Sequence, residues 1–212
     1  MGSGDRWSDL DLTFAVRDDV LLGEVLEDWT HRFANDLDAL MLFDLPSGET
    51  IYRVFFLPGG LQLDVSFTPA SAFAPGGPRF RLLFGETHTA QPSSPTPPQE
   101  LFGWAVAYAR EARACIERGR WWQAEHSINA LRDNALAIAC LGRGLPARFG
   151  RGHDDLPTEV LARFEKARIA SLGRADLMEA LRVAVDGLLS ESGEVGELAA
   201  KTGPRLRELL EE

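Results

Sequence analysis

Three aspartates in the 212-residue chain stand out by type and spacing: Asp9 and Asp11 in "WSDLDLTF", and Asp64 in "LQLDVSF". Both stretches alternate apolar and polar residues, the period of a half-buried strand. Aspartate is depleted in strands because its short side chain competes with the ladder for backbone hydrogen bonds. Carboxylates repeated on the polar side of such segments therefore call for a chemical reason. Two residues apart in a strand, Asp9 and Asp11 have Cα atoms about 7 Å apart, close enough for their side chains to converge on one cation. Without a cation they repel, and one is driven to take up a proton. If a neighbouring strand brings Asp64 alongside, the set becomes three oxygen-only ligands, which suits magnesium. Two such ions shared by the same carboxylates can hold a nucleoside triphosphate, activate an attacking hydroxyl and stabilise departing pyrophosphate. The plainer alternative makes Asp9 a turn cap, Asp11 a solvated edge residue and Asp64 incidental. A third aspartate on a polar strand face tips the reading to the metal site.

The elements that must position these residues fall into two halves. Residues 1 to about 90 are rich in strand signals, and residues 99–212 read as helices. The proline- and serine-rich stretch at 91–98 between them suits neither a helix nor a central strand. In the first half, a helix over 18–36 is expected from the stripe Val20, Leu21, Leu22, Val25, Leu26, Trp29 and Phe33, with Asp18 or Asp19 as its N-cap. Strands are expected at "LDALMLF", "TIYRVFFL" and "LQLDVSF", the last two joined by the turn "PGG". In the second half, helices are expected over 100–119, 120–144, 157–173 and 174–193, with a short one beginning near Pro204. Breaks are expected at Gly119, Gly142, Gly144, Gly173, Gly193 and Gly203. Helices joined by short loops pack as a bundle. The expected fold class is α+β: a mixed-sheet domain followed by an α-helical bundle domain.

Charge and composition narrow the function. A net charge of −10 argues against a nonspecific nucleic-acid binder. No apolar run is long enough to span a bilayer and the first residues lack a signal-peptide pattern, so no membrane partner and a cytoplasmic location are expected. Cys115 and Cys140 show no metal-ligand spacing and are expected as small buried apolar residues.

"GDRWSDLDLTF" followed by "LQLDVSFTP" resembles the polymerase-beta-like nucleotidyltransferase superfamily, in particular its small bacterial members of aminoglycoside and lincosamide type. The second half, with "GRWWQAEHSINALRDNALAIACLGRGLPARFGRG", is similar to the helical domain of a group of these proteins, so the resemblance covers nearly the whole chain. It implies a nucleotidyltransferase domain at 1–90 and a helical substrate-binding domain at 99–212 that closes over a cleft. The implied reaction is magnesium-dependent transfer of a nucleoside monophosphate, AMP from ATP in the leading reading, to a hydroxyl of a small molecule, aminoglycoside-like compounds being one candidate. Asp9, Asp11 and Asp64 match the family's metal ligands. Asp64 also matches the carboxylate that acts as general base in several antibiotic-modifying members. Family members carry a Gly-Ser pair about ten residues before the first aspartate. Gly2-Ser3 lies too close to Asp9 to be that pair, so the preceding strand is expected to be absent, either because the start is truncated, for which the sheet edge left exposed argues, or because the protein has lost this phosphate cradle. Alternative readings are a protein-modifying nucleotidyltransferase antitoxin, a homodimer, or a domain that binds a nucleotide or partner without catalysis.

Other residues extend the candidate site. Of the adjacent Trp121 and Trp122, about 100° apart on a helix, at least one is expected in the core. The other, assigned as Trp122, is a candidate acceptor surface with Glu125. Arg132 either pairs with Asp133 at the surface or reaches a phosphate with its planar donor fork. "GRGLPARFGRGHDD" lacks the lysine and hydroxyl of a P-loop, and is expected as an interhelical loop with His153 exposed. His126 and His153 have no partner at zinc spacing.

Overall fold

The structure, a computed structural model, describes residues 5, 7–75, 80–89 and 96–211. The chain divides into two compact units, Met1–Ser93 and Ser94–Glu212. Gly2-Ser3 and most of the proline-rich stretch lie outside the described residues.

The first unit is a four-stranded mixed sheet with one helix against it. Its elements are β1 (Leu10–Val16), α1 (Leu22–Leu37), β2 (Leu40–Ser47), β3 (Thr50–Phe56) and β4 (Gln62–Pro69), in the spatial order β1-β4-β3-β2. β1 runs parallel to β4, while β4, β3 and β2 are antiparallel neighbours. The β3–β4 turn uses Gly59 and Gly60 at φ 79° and 84°, a region that favours glycine. Alternation decides the faces: Leu63, Val65 and Phe67 of β4 are buried. Phe14 packs on Trp29 and Phe67 at ring-centroid distances of 4.8 and 5.6 Å, and Phe33 meets Phe55 edge-on at 5.2 Å. These rings form the core between α1 and the sheet.

One charged pair closes this core. The Arg53 guanidinium grips both oxygens of Asp44 at 2.7 Å, and its Nη1 donates to the Leu26 carbonyl at 3.0 Å and to Thr30 Oγ1 at 2.8 Å. Through it, β2 and β3 are tied to α1. Hydrogen bonding from Arg53 holds the Asp44 carboxyl below the usual carboxylate range. A depressed carboxylate stabilises the fold above its unfolded-state pKa and loses that contribution as pH falls through its folded-state pKa. Asp44→Asn is therefore expected to cost about 1 kcal/mol at neutral pH, a bidentate pair discounted for solvent. Melts of both proteins across an acid series should converge once wild-type Asp44 is protonated.

The N-cap of α1 differs from expectation. It is Leu21, with no side-chain cap. Asp18 instead accepts from the Ser71 backbone N–H at 3.2 Å and its hydroxyl at 2.9 Å, and Asp19 pairs with Arg17. Both carboxylates are taken by partners outside the helix.

The second unit contains α2 (Pro98–Glu117), α3 (Trp121–Leu141), α4 (Thr158–Glu165), α5 (Arg174–Ser190) and α6 (Gly196–Glu208). α2 starts at Pro98, where a missing N–H costs nothing in a first turn. Ala105, Ala109 and Ala112 recur at helical spacing on α2 and are fully buried, with Ile128, Leu131, Leu177, Leu181 and Leu188 filling the core between α2, α3 and α5. Cys115 and Cys140 are buried in it, and burial pushes both thiols up. Glu191, nearly sealed from solvent, is neutralised by Arg143 at 2.8 Å and Arg163 at 2.6 Å, which binds the end of α3 and α4 to the end of α5. The architecture is α+β, a mixed sheet with its helix followed by a helical bundle.

Two helices depart from their expected bounds. The helix expected over 157–173 stops at Glu165. Beyond it, the Ala167 and Arg168 N–H groups donate to the Phe164 and Glu165 carbonyls at 3.0 and 3.2 Å, tightening the chain into a turn, and the Ser171 hydroxyl accepts from the Gly173 N–H at 3.1 Å and pairs with Asp176 at the start of α5. α6 begins at Gly196 rather than near Pro204, which sits inside it. Gly203 is likewise a helix interior residue and not a break: it is buried beside the Leu189 methyl groups. Packing of Ala199, Gly203 and Leu206 outweighs the hydrogen bond that Pro204 forfeits.

Candidate functional site

The parallel pairing of β1 and β4 sets the geometry of the carboxylates. Its register places Asp11 directly opposite Asp64, and Asp9 stands two residues before Asp11, just ahead of the strand. One carboxylate oxygen from each of Asp9, Asp11 and Asp64 lies within 4.8 Å of the others. The approach to Asp9 is a tight turn. Asp5 Oδ1 accepts from the Trp7 N–H at 2.9 Å and from Ser8 Oγ at 3.2 Å, while the Asp5 N–H donates to Ser8 Oγ at 2.9 Å.

The same face continues in polar residues. Gln62 Nε2 donates to both Asp64 oxygens at 3.0 and 3.1 Å, and Ser66 Oγ bonds Thr13 Oγ1 at 2.8 Å across the β1–β4 pair. Gln62 and Ser66 sit two residues either side of Asp64, so the strand period places them beside it. Asp64 is half-buried, and burial pushes its carboxyl above the usual range. Asp11 and then Asp9 add to that rise by like-charge repulsion, while the Gln62 hydrogen bond opposes it. This is the electrostatic state of carboxylates gathered without a counter-charge. The all-oxygen donor set fits a hard divalent cation such as magnesium.

The other candidate residues lie on the helical unit, away from this turn-and-strand cluster in sequence. The Arg132 guanidinium is engaged by Asp133 Oδ1 at 2.9 and 3.1 Å and by Asn129 Oδ1 at 3.0 Å, the surface pair of the plainer reading. Neither tryptophan is in the core: Trp121 is 37% exposed and Trp122 75%. Both occupy the first turn of α3, a helix whose inward positions begin with Ala124 and Ser127, and Trp121 rests on Gly119. Glu125 is half-buried on the same helix. His153 is not exposed as expected; its Nε2 is sealed from solvent with no hydrogen-bond partner among the described residues. No described helix is long and apolar enough to cross a membrane.

No protein-family model and no curated protein matches the chain. Among solved structures, the chain is similar over 96% of its length to an aminoglycoside 6-adenyltransferase from Bacillus subtilis, of which 89% is covered, with 12% identity and a TM-score of 0.44.

Proposed function

We propose that this protein is a divalent-metal-dependent nucleotidyltransferase whose cation site is built from Asp9, Asp11 and Asp64. The observation that carries the reading is the convergence of one oxygen from each carboxylate within 4.8 Å, achieved by a parallel register that opposes Asp11 to Asp64. A strand pair that assembles like charges at this range bears an electrostatic cost, which a bound cation removes. Magnesium, when bound there, supplies charge neutralisation for a triphosphate and polarisation of the transferring phosphoryl group. Asp9 and Asp11 would hold the ion. Asp64 completes the set, held in place by Gln62, and accepts the proton of the acceptor hydroxyl as its oxygen attacks the α-phosphorus. The bond to the bridging oxygen breaks in the same step and pyrophosphate leaves.

The leading acceptor is a small hydroxylated molecule and the leading donor is ATP. Fourteen carboxylates against six arginines in residues 1–93 favour an acceptor that carries positive charge. A second acceptor class, a protein side chain, is favoured by one feature. Leu40, Phe43, Leu45, Tyr52 and Phe56 are all exposed, and strand register places them on the sheet face that carries Asp64. Exposed apolar patches of that kind mark protein contacts.

The test is calorimetric titration of a non-hydrolysable ATP analogue with and without magnesium, paired with transfer assays on small amines and on cell protein. Magnesium-dependent binding that disappears in Asp11→Asn supports the cation site. Binding without turnover on any acceptor would leave a nucleotide-binding domain in place of an enzyme, and absence of magnesium-dependent binding would overturn the reading.

A further inference from the structure

The segment joining α3 to α4 is not used by the carboxylate site, yet it is elaborately built. Two short 3-10 turns, Arg148–Gly150 and His153–Asp155, fold it against the bundle. Phe149, the middle residue of the first turn, is in the left-handed region at φ 58° and ψ 25° and is 82% exposed. A non-glycine residue there is strained, and an exposed phenylalanine recovers little by burial. Its ring instead gathers two cations: the guanidinium carbons of Arg148 and Arg151 lie 5.2 and 5.7 Å from its centroid. Neither arginine has a carboxylate partner among the described residues.

Phe149 and Gly150, though not the two arginines, border a cavity of about 360 Å³ between the start of α2, the middle of α3 and this segment. That volume lies in the range of small-ligand sites. Leu101, Ala137 and Ala147 supply apolar walls. Asp133 and Asn134 bring polar groups. Arg132 engages only one Asp133 oxygen, and Asn134 spends its amide N–H on the Ala130 carbonyl at 2.8 Å. Asp133 Oδ2 and Asn134 Oδ1 thus have no partner among the described residues and are available as acceptors.

We propose that this cavity on the helical unit is a ligand site for a flat, amino-bearing ring system joined to a phosphate, the chemistry of a purine nucleotide. The ring enters the cavity against Phe149, its amino group donates to Asp133 or Asn134, and the phosphate, outside the cavity lining, is taken by Arg148 and Arg151, whose guanidinium groups swing off the Phe149 ring to meet it. The strain at Phe149 and the juxtaposed guanidinium groups are then features that the ligand uses. The inference does not rest on the reading of the carboxylate cluster.

The test is calorimetric titration of the full chain with AMP, adenosine and inorganic phosphate in EDTA, on wild type, Asp11→Asn/Asp64→Asn, Phe149→Gly and Arg148→Gln/Arg151→Gln. AMP is expected to bind wild type and the double aspartate variant equally, and the other two variants at least tenfold more weakly. Adenosine and phosphate should each bind more weakly than AMP. Phe149→Gly should also melt higher than wild type, because glycine removes the backbone strain; a purely structural Phe149 would melt lower. The proposal is overturned if AMP does not bind in EDTA, if binding survives both segment variants, or if it vanishes in the aspartate variant. Phosphate binding as tight as AMP would overturn the ring-recognition half.

Discussion

Asp64→Asn is expected to have opposite effects on activity and on stability. Transfer should fall by about a thousandfold or more, about 4 kcal/mol of transition-state stabilisation, because one residue supplies both a cation ligand and the proton acceptor. The metal-free protein, in contrast, should melt at a higher temperature than wild type. Burial and the charges of Asp11 and Asp9 raise the Asp64 carboxyl above its ordinary value in the folded state. A carboxylate of this kind destabilises the fold above its raised folded-state pKa, and the penalty is relieved as protonation sets in at lower pH. Asparagine carries no charge at any pH and keeps a carbonyl oxygen for the Gln62 donor. The stability gain should therefore be present at neutral pH and disappear in acid, which melts across a pH series will show. Magnesium should separate the two proteins a second way. At a hundredfold excess over its dissociation constant it stabilises wild type by about 2.7 kcal/mol, and it should leave Asp64→Asn unmoved. If Asp64→Asn melts lower than wild type at neutral pH, burial and the neighbouring Asp11 and Asp9 charges do not penalise the Asp64 carboxylate.

Gly187→Ala should be strongly destabilising for the helical unit. A Cβ at this α5 position would stand 2.3 and 2.5 Å from ring carbons of Phe164 in α4. Phe164 is buried, so its ring cannot swing into solvent without opening the core. Overpacking of this kind costs about 1–3 kcal/mol, and contact with a buried ring at such range places Gly187→Ala near the top. Circular dichroism melts should report that loss. Phe164→Leu, which costs stability alone, should recover part of it in the Gly187→Ala background, a coupling expected for residues in direct contact. The magnesium-dependent shift tied to Asp11 and Asp64 should persist in Gly187→Ala, since those residues belong to the other unit. Equal stability of Gly187→Ala and wild type would mean that α4 packs less tightly on α5 than its Phe164 contact indicates.

Legibility of the fold followed the range of the interactions involved. The alternation in β1 and β4, and the apolar stripe of α1, report which face of each element is wet, and that information is local. Helix ends are settled by competition with distant groups. Asp18, a plausible cap by sequence, is occupied by Ser71, fifty-three residues away. Pro204 reads as a helix start, but burial of Ala199, Gly203 and Leu206 carries α6 through it. One of Trp121 and Trp122 reads as core by size, yet both fall on the first turn of α3 and are exposed, and the inward positions of the helix belong to smaller residues. His153 reads as a loop residue, and the two turns around it bury its Nε2.

By itself the sequence determined that Asp11 and Asp64 lie on polar strand faces, with Asp9 in step two residues before Asp11, because period-two alternation depends only on neighbouring residues. That they meet was decided by tertiary structure. Pairing β1 beside β4, parallel and in the register that sets Asp11 against Asp64, joins segments more than fifty residues apart through backbone hydrogen bonds and a shared core under α1. A register shifted by one residue would turn Asp64 to the apolar face and dissolve the cluster. Register is a property of the packed sheet, and no local pattern in either strand specifies it.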